Sequence, residues 1–335
     1  MNRRDFLLKS GAAASLSLLA KGPLFAQGPA TNSGPAAADK VLLAPSPAAS
    51  PITSVSVQPP PLVTKFTPLR RQVGYFTGRG GTMGWLVNPA AVVAVDTQFP
   101  ETAAIFLQEL PGRDNRTLDA VINTHHHGDH TGGNGVFRPA TKSIVAHVNV
   151  PGLMRVRAAA DKRELDPAMV PDLGFAEGFR QGFGDEAISA RHLGAAHTKG
   201  DIVTLFEQAN VVHLGDLLFN RLYPVIDRPG GASIRNWVVV LEKIVADYPK
   251  DAIYVCGHGR AQFGVECRPA DLLVFRDYLS ALLAHVEGGI KAGQPKAEII
   301  KLDNLAGFPD FHVPPGPGNR LPANLGVAYD ELTGA

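Results

Sequence analysis

The chain has 335 residues, 45% apolar and 19% charged, with a formal net charge of +1 at pH 7. That length and apolar content support one large domain or two small ones around a real core, and exclude a wholly disordered chain. The charge balance excludes a polybasic nucleic-acid binder, and two cysteines exclude a disulfide-scaffolded miniprotein.

Residues 1–26 combine a basic head (Arg3, Arg4, Lys9), an apolar run over 11–20 and a small-residue exit at Ala26. These are the parts of a secretory signal. The run is too short for a permanent bilayer anchor, so no stable membrane span is expected. Arg3-Arg4 ahead of Phe6-Leu7 resembles the twin-arginine signal of bacteria. The resemblance implies export of the folded chain by the twin-arginine machinery and a periplasmic or secreted protein. Without Arg3, Arg4, Lys9, Lys21 and Asp5 the mature chain falls near −2, which gives no electrostatic case for nucleic acid. Residues 27–64 are rich in Pro, Ala, Ser and Gly, and Pro59-Pro60-Pro61 denies both helix and strand. This stretch reads as a flexible tether, with an extended segment packed on the domain as the alternative.

A folded domain is expected over 65–335. Short strands are predicted at 74–76, 83–87 and 91–95, separated by Gly and Asn-Pro turns. A helix over 101–110 is stopped by Pro111-Gly112. Strands at 118–123 and 143–146 follow, then a helix over 148–160. Strands are predicted again at 187–193, 202–206 and 210–214. The periodicity gives a helix over 233–248, capped by Ser233, with Ile234, Trp237, Val238, Leu241, Ile244 and Val245 on one face. A strand at 252–256 and a long amphipathic helix over 269–287 complete the pattern. Strands in two groups with helices outside suggest a layered α/β sandwich, although the pattern alone leaves topology open.

The eleven histidines are unevenly placed. Residues 124–133 read Thr-His-His-His-Gly-Asp-His-Thr-Gly-Gly and follow an apolar strand directly. Polar residues at the carboxyl end of a buried strand sit on the sheet rim, where α/β proteins build active sites. In such a loop His125 and His127 can point the same way, with Asp129 and His130 beyond them. Nitrogen and oxygen donors in this pattern suit zinc. His126 lies between the pair and faces away, which gives it a supporting or surface role.

His125-x-His127-x-Asp129-His130 resembles the metal-binding signature of the metallo-β-lactamase-fold superfamily. Gly194-Ala195-Ala196-His197-Thr198-Lys199-Gly200, Leu214-Gly215-Asp216 and Cys256-Gly257-His258-Gly259 resemble its later motifs in the same order. Val93-Ala94-Val95-Asp96-Thr97 resembles its strand ending in Asp-Thr. The resemblance implies a four-layer αβ/βα sandwich and a site for two zinc ions, with iron or manganese as alternatives. It gives His125, His127 and His197 to the first metal and Asp129, His130 and His258 to the second, with Asp216 bridging both. Asp96 is read either as a support for the histidine loop or as a turn cap.

What the resemblance implies chemically is metal-assisted hydrolysis of a small-molecule substrate. A bridging hydroxide attacks, one metal polarises the carbonyl, and the other steadies the leaving group. Tyr223, after the Asp216 strand, is a candidate to polarise a carbonyl or oxyanion. Asp216 and His258 are too close in sequence for the large cap of the superfamily's nucleases, and His127 stands where the flavodiiron branch has an acid. A bridging Asp216 favours ester, thioester and lactone hydrolases over a dedicated β-lactamase. No basic set for gripping glutathione is apparent. A mononuclear iron sulfur dioxygenase and a noncatalytic binding module are the alternatives from other classes. Lys199 reads as a solvated loop lysine, and His147, His192 and His213 lack a spacing partner. Cys256 and Cys267 read as small buried residues, with an exported-protein disulfide as the alternative.

Overall fold

The structure, a computed structural model, describes residues 62–311 and 319–335. The expected signal at 1–26 and the tether up to residue 61 lie outside the described residues. The first sheet takes its strands in chain order. They are β1 (Lys65–Pro68), β2 (Val73–Thr77), β3 (Met83–Val87), β4 (Val92–Val95), β5 (Ala120–Ile122), β6 (Ile144–His147) and β7 (Leu173–Phe175). Strands β1 to β4 pair antiparallel, and β4 to β7 pair parallel. Parallel neighbours need crossovers. Helix α1 (Pro100–Glu109) joins β4 to β5, the short α2 (Gly128–Thr131) and α3 (Asn134–Phe137) join β5 to β6, and α4 (Val150–Ala160) joins β6 to β7.

The second sheet runs β8 (Gly178–Phe183), β9 (Glu186–Arg191), β10 (Val203–Phe206), β11 (Val211–Asn220), β12 (Ile253–Gly259) and β13 (Glu266–Cys267), again in sequence order. Its one parallel pair, β11 with β12, is bridged by α5 (Ile234–Asp247). Helices α6 (Pro269–Lys291), α7 (Lys296–Ile299) and α8 (Arg320–Thr333) follow.

Side-chain alternation along the strands builds the layers. In β4, Val93 and Val95 enter a central core with Ile188, Phe206 and Val211 of the other sheet. Val92 and Ala94 point outward to Phe106 of α1 and Phe137 of α3. Phe106 is fully buried and meets Phe76 edge-on at 5.4 Å. Each such ring contributes about 1.5–3 kcal/mol by burial. On the far side, Val212 and Leu214 of β11 pack with Trp237 of α5 and Phe275 of α6. Helix, sheet, sheet, helix is the four-layer αβ/βα sandwich expected. Among the described residues no helix is long and apolar enough to cross a membrane.

Several boundaries differ from the sequence reading. The strand predicted at 118–123 is confined to Ala120–Ile122, and Leu118 makes only an isolated bridge to Thr141. The strand expected to end at residue 214 continues to Asn220, through a register shift at Gly215. Gly215 sits at φ +51°, and a Cβ there would lie 2.6 Å from Thr124 Oγ1, so glycine alone fits the shift. Ser233 caps α5 as predicted, its hydroxyl accepting from Asn236 N. The buried face of α5 is Ile234, Trp237, Val240, Leu241 and Ile244, with Val238 and Val245 at its margins. Helix α8 was not foreseen. Its Glu331 accepts from Ser233 Oγ and from the amides of Ile234 and Arg235, which ties the C-terminus to the start of α5.

Candidate metal centre

Four stretches converge at one rim of the sandwich. The loop after β5 carries His125 and His127, while Asp129 and His130 lie on the single turn of α2 rather than on an extended loop. His197 comes from the loop before β10, Asp216 from within β11 and His258 from β12. Their donor atoms gather into two sets, His125–His127–His197–Asp216 and Asp129–His130–His258. All seven residues expected as ligands are thus brought together.

Asp216 stands between the sets. Its Oδ2 lies 3.5 Å from His197 Nε2 and 3.9 Å from His125 Nε2. Its Oδ1 lies 3.0 Å from His130 Nε2 and 3.5 Å from His258 Nε2. Asp129 Oδ2 is 3.0 Å from His258 Nε2.

The outer nitrogen of most of these rings is already engaged. His197 Nδ1 donates to the Val225 carbonyl at 2.8 Å. His130 Nδ1 donates to Asp96 Oδ2 at 2.7 Å. Thr124 gives its hydroxyl proton to Asp96, so the same oxygen accepts from His125 Nδ1 at 3.0 Å. His127 Nε2 donates to Asp227 Oδ2 at 2.9 Å. Each bond holds one ring nitrogen outward and turns the other toward the centre. For His127 that inward atom is Nδ1; for the others it is Nε2.

The inward atoms test whether a cation fits. His197 Nε2 and His127 Nδ1 face each other at 2.9 Å, both as acceptors. His125 Nε2 and Asp216 Oδ1 are buried without a hydrogen-bond partner. Each such group costs about 1–3 kcal/mol if left unsatisfied. The lone pairs of His125, His127 and His197 converging on the Asp216 carboxylate suit a divalent cation, and nitrogen with carboxylate oxygen suits zinc.

Electrostatics follows from burial and the carboxylates. Burial, with neighbouring imidazoles, pushes His125 well below the usual histidine range and His197 down to about 3. Burial opposes the charge on His130 as well, but Asp216, Asp96 and Asp129 outweigh it and raise that group. Against its burial penalty, Asp227 is held down at about 2 by the hydrogen bond from His127.

The remaining candidates sort by position. Asp96 supports the histidine loop rather than capping its own turn: it accepts from the Thr124 amide at 2.7 Å and holds His130. His126 is buried, with Nε2 3.4 Å from Asp227 Oδ2. Tyr223 is 3% exposed in an aromatic cluster, 5.8 Å from the Tyr278 ring and 6.3 Å from Phe311. Among the described residues no hydrogen bond or ring contact links it to the seven donors. His213 donates to Thr82 O at 3.0 Å, and His147 stacks on His192 at 4.1 Å. Cys256 and Cys267 are free buried thiols, Sγ atoms 3.7 Å apart. Sequence reasoning missed Asp227, which lies in an irregular loop with no motif around it. It also gave no role to Asp201, whose carboxylate caps the loop of His197 through the amide and hydroxyl of Thr198.

A cavity of about 680 Å³ opens onto Asp129 and His258. One wall is apolar, formed by Phe219, Leu222 and Val225. The arrangement can present an electrophile to a bound metal from a pocket of small-molecule size.

Comparison with known proteins agrees with this geometry. The family model for the metallo-beta-lactamase superfamily matches residues 77–258. A protein named hydroxyacylglutathione hydrolase, from Methylococcus capsulatus, is 33% identical over 246 residues, covering 71% of this chain and 82% of that protein. Metallo-beta-lactamase IND-1 from Chryseobacterium indologenes is 23% identical over 221 residues, covering 65% and 87%. Among solved structures, a double mutant of the sec-alkyl sulfatase PisA1 shares the fold at TM-score 0.62 and 16% identity, over 80% of this chain and 50% of that one.

Proposed function

The chain belongs to the metallo-β-lactamase superfamily, and on that premise we propose that this metal-dependent hydrolase holds two zinc ions and cleaves a thioester or a related ester or lactone. The observation that carries the reading is the single carboxylate of Asp216, one oxygen turned to each donor set. His125, His127 and His197 would hold one ion, Asp129, His130 and His258 the other, and Asp216 both. Iron or manganese would suit the same donors. When bound, two such cations make a nucleophile available from water at neutral pH and polarise the scissile carbonyl.

The protein's own groups prepare that chemistry. Burial keeps His125 and His197 neutral at pH 7, so no proton has to leave before they bind. Asp96 and Asp227 hold the imidazole N–H groups outward. Asp129 and Asp216 offset part of the charge of two dications. Phe219, Leu222 and Val225 shield an acyl group from bulk water.

The thioester preference is supported by the relatives named hydroxyacylglutathione hydrolase, 28–33% identical to this chain. The similarity to IND-1 supports lactam hydrolysis as a secondary activity. We further propose twin-arginine export to the periplasm or beyond, on the leader residues alone.

Elemental analysis of the purified protein with an ester, thioester, lactone and lactam panel tests the reading. Two zinc ions per chain and thioester turnover are expected, and His127→Ala or Asp216→Ala should lower both together. One iron per chain with oxygen consumption would replace it with a sulfur dioxygenase. No turnover on the whole panel would leave a binding module.

A further inference from the structure

Among the described residues that line the cavity opening onto Asp129 and His258 are two arginines, Arg79 and Arg320, and no lysine. They come from opposite ends of the domain. Arg79 stands on the turn between β2 and β3. That turn is registered to the metal centre itself: Gly81 N donates to the Asp129 carbonyl at 3.0 Å, and Thr82 N to the Gly257 carbonyl at 2.8 Å. Gln98 Nε2 holds the Gly81 carbonyl at 2.6 Å. The exposed guanidinium pairs with Glu101, 2.7 Å from one nitrogen, and lies 5.3 Å from the centre of the Phe99 ring. One carboxylate engages one edge of a five-donor fork, so the rest of the fork remains available.

Arg320 opens α8, where Asn319 caps the helix by accepting from Leu321 N. It is half-buried and makes no ion pair with a described residue. A guanidinium on a cavity with an apolar lining and no described carboxylate of its own favours an anion.

We propose that Arg79 and Arg320 form an anion-recognition subsite, which selects thioesters or esters carrying a carboxylate or a similar acidic group. The proposal rests on the hydrolase reading and deepens it by naming the substrate class. The apolar wall of Phe219, Leu222 and Val225 receives the hydrocarbon part, and the arginines receive the charge. Planar, bidentate recognition makes the subsite selective for oxyanions over amides.

The test uses matched probes on the metal-loaded protein: S-acetyl-3-mercaptopropionate and its uncharged carboxamide. The wild type should favour the carboxylate in kcat/KM by about 10–100-fold, mostly through KM, as a charge-assisted contact predicts. Arg79→Gln with Arg320→Gln should collapse that ratio toward one, and Arg79→Glu with Arg320→Glu should shift preference to cationic acetylthiocholine. Equal use of both probes by the wild type, or an unchanged ratio in the Gln variant, overturns the subsite while leaving the hydrolase standing. If the loaded wild type cleaves neither thioester, the hydrolase reading fails. The subsite is then judged by calorimetry with 3-(methylthio)propionate. Binding that weakens about tenfold or more in the Gln variant supports it, and binding that is absent or unchanged ends it.

Discussion

Replacing Asp96 by Asn isolates the support of the histidine loop. The carboxylate is fully buried and accepts three bonds: from the Thr124 amide at 2.7 Å, the Thr124 hydroxyl at 2.8 Å and His130 Nδ1 at 2.7 Å. Asn keeps one acceptor and turns the other oxygen into a donor, which then faces His130 N–H and the Thr124 hydroxyl. The backbone survives, because position 96 has φ +64° and Asn tolerates that region. What is lost is a charge-assisted bond worth about 1.5–3 kcal/mol. At about 1.4 kcal/mol per decade this is a 10–100-fold loss of metal affinity, within the range for outer partners of ligands. The loss should fall mainly on the ion held by His130, and less on the His125 set, which Asp96 reaches only through Thr124. Chelator competition on wild type and variant, with melting curves to establish folding, reads the effect. Two ions bound by Asp96→Asn at wild-type affinity would refute the claim that this carboxylate organises the centre.

Three further outcomes are expected. Gly257→Ala should cost most of the metal while leaving secondary structure intact, because the new methyl would lie 2.0 Å from Asp216 Oδ1; full metal content by elemental analysis would contradict this. Stripping metal with a chelator should lower the melting temperature, and zinc at about a thousand times its dissociation constant should restore about 4 kcal/mol; a melting curve indifferent to zinc would count against the orphaned donors as cation ligands. Burial and the stacked His192 push His147 down to about 4, below the 6.5 or so of an unfolded chain. The unfolded chain therefore binds a proton that the folded one refuses, and stability falls as pH drops from about 6.5 to about 4. His147→Gln should narrow the difference in melting temperature between pH 7.5 and pH 4.5, measured on metal-free protein; an unchanged difference would exclude this pair as the source.

The sequence was most legible where chemistry is concentrated in few residues. The spacing from His125 to His130 and the motifs around His197, Asp216 and His258 carried the whole donor set. The apolar runs 91–95 and 143–146 were legible as strands because the strands there, Val92–Val95 and Ile144–His147, are buried on both faces. Legibility failed where the determinant was long-range. Strand β11 extends past Gly215 because β12 supplies parallel partners as far as Asn220, which no local pattern signals. Asp227 acts on His127 a hundred positions away. Helix α8 depends on packing against α6 and on the contact of Glu331 with α5, neither visible in the sequence, where Pro322 and Gly326 interrupt the helical pattern just after the Pro/Gly run 314–318. Arg79 and Arg320 share a cavity only because the fold joins the two ends of the domain.

The donors are divided between the two sheets: His125, His127, Asp129 and His130 follow a strand of the first, while His197, Asp216 and His258 belong to the second. Neither half of the chain owns a complete chelator. During synthesis the last contributor, His258, emerges well after the first, so a nascent chain offers only weak partial sites to passing ions. Capture of a metal is therefore a late event that reports on the union of the halves, and the bound metal then acts as a rivet across the seam.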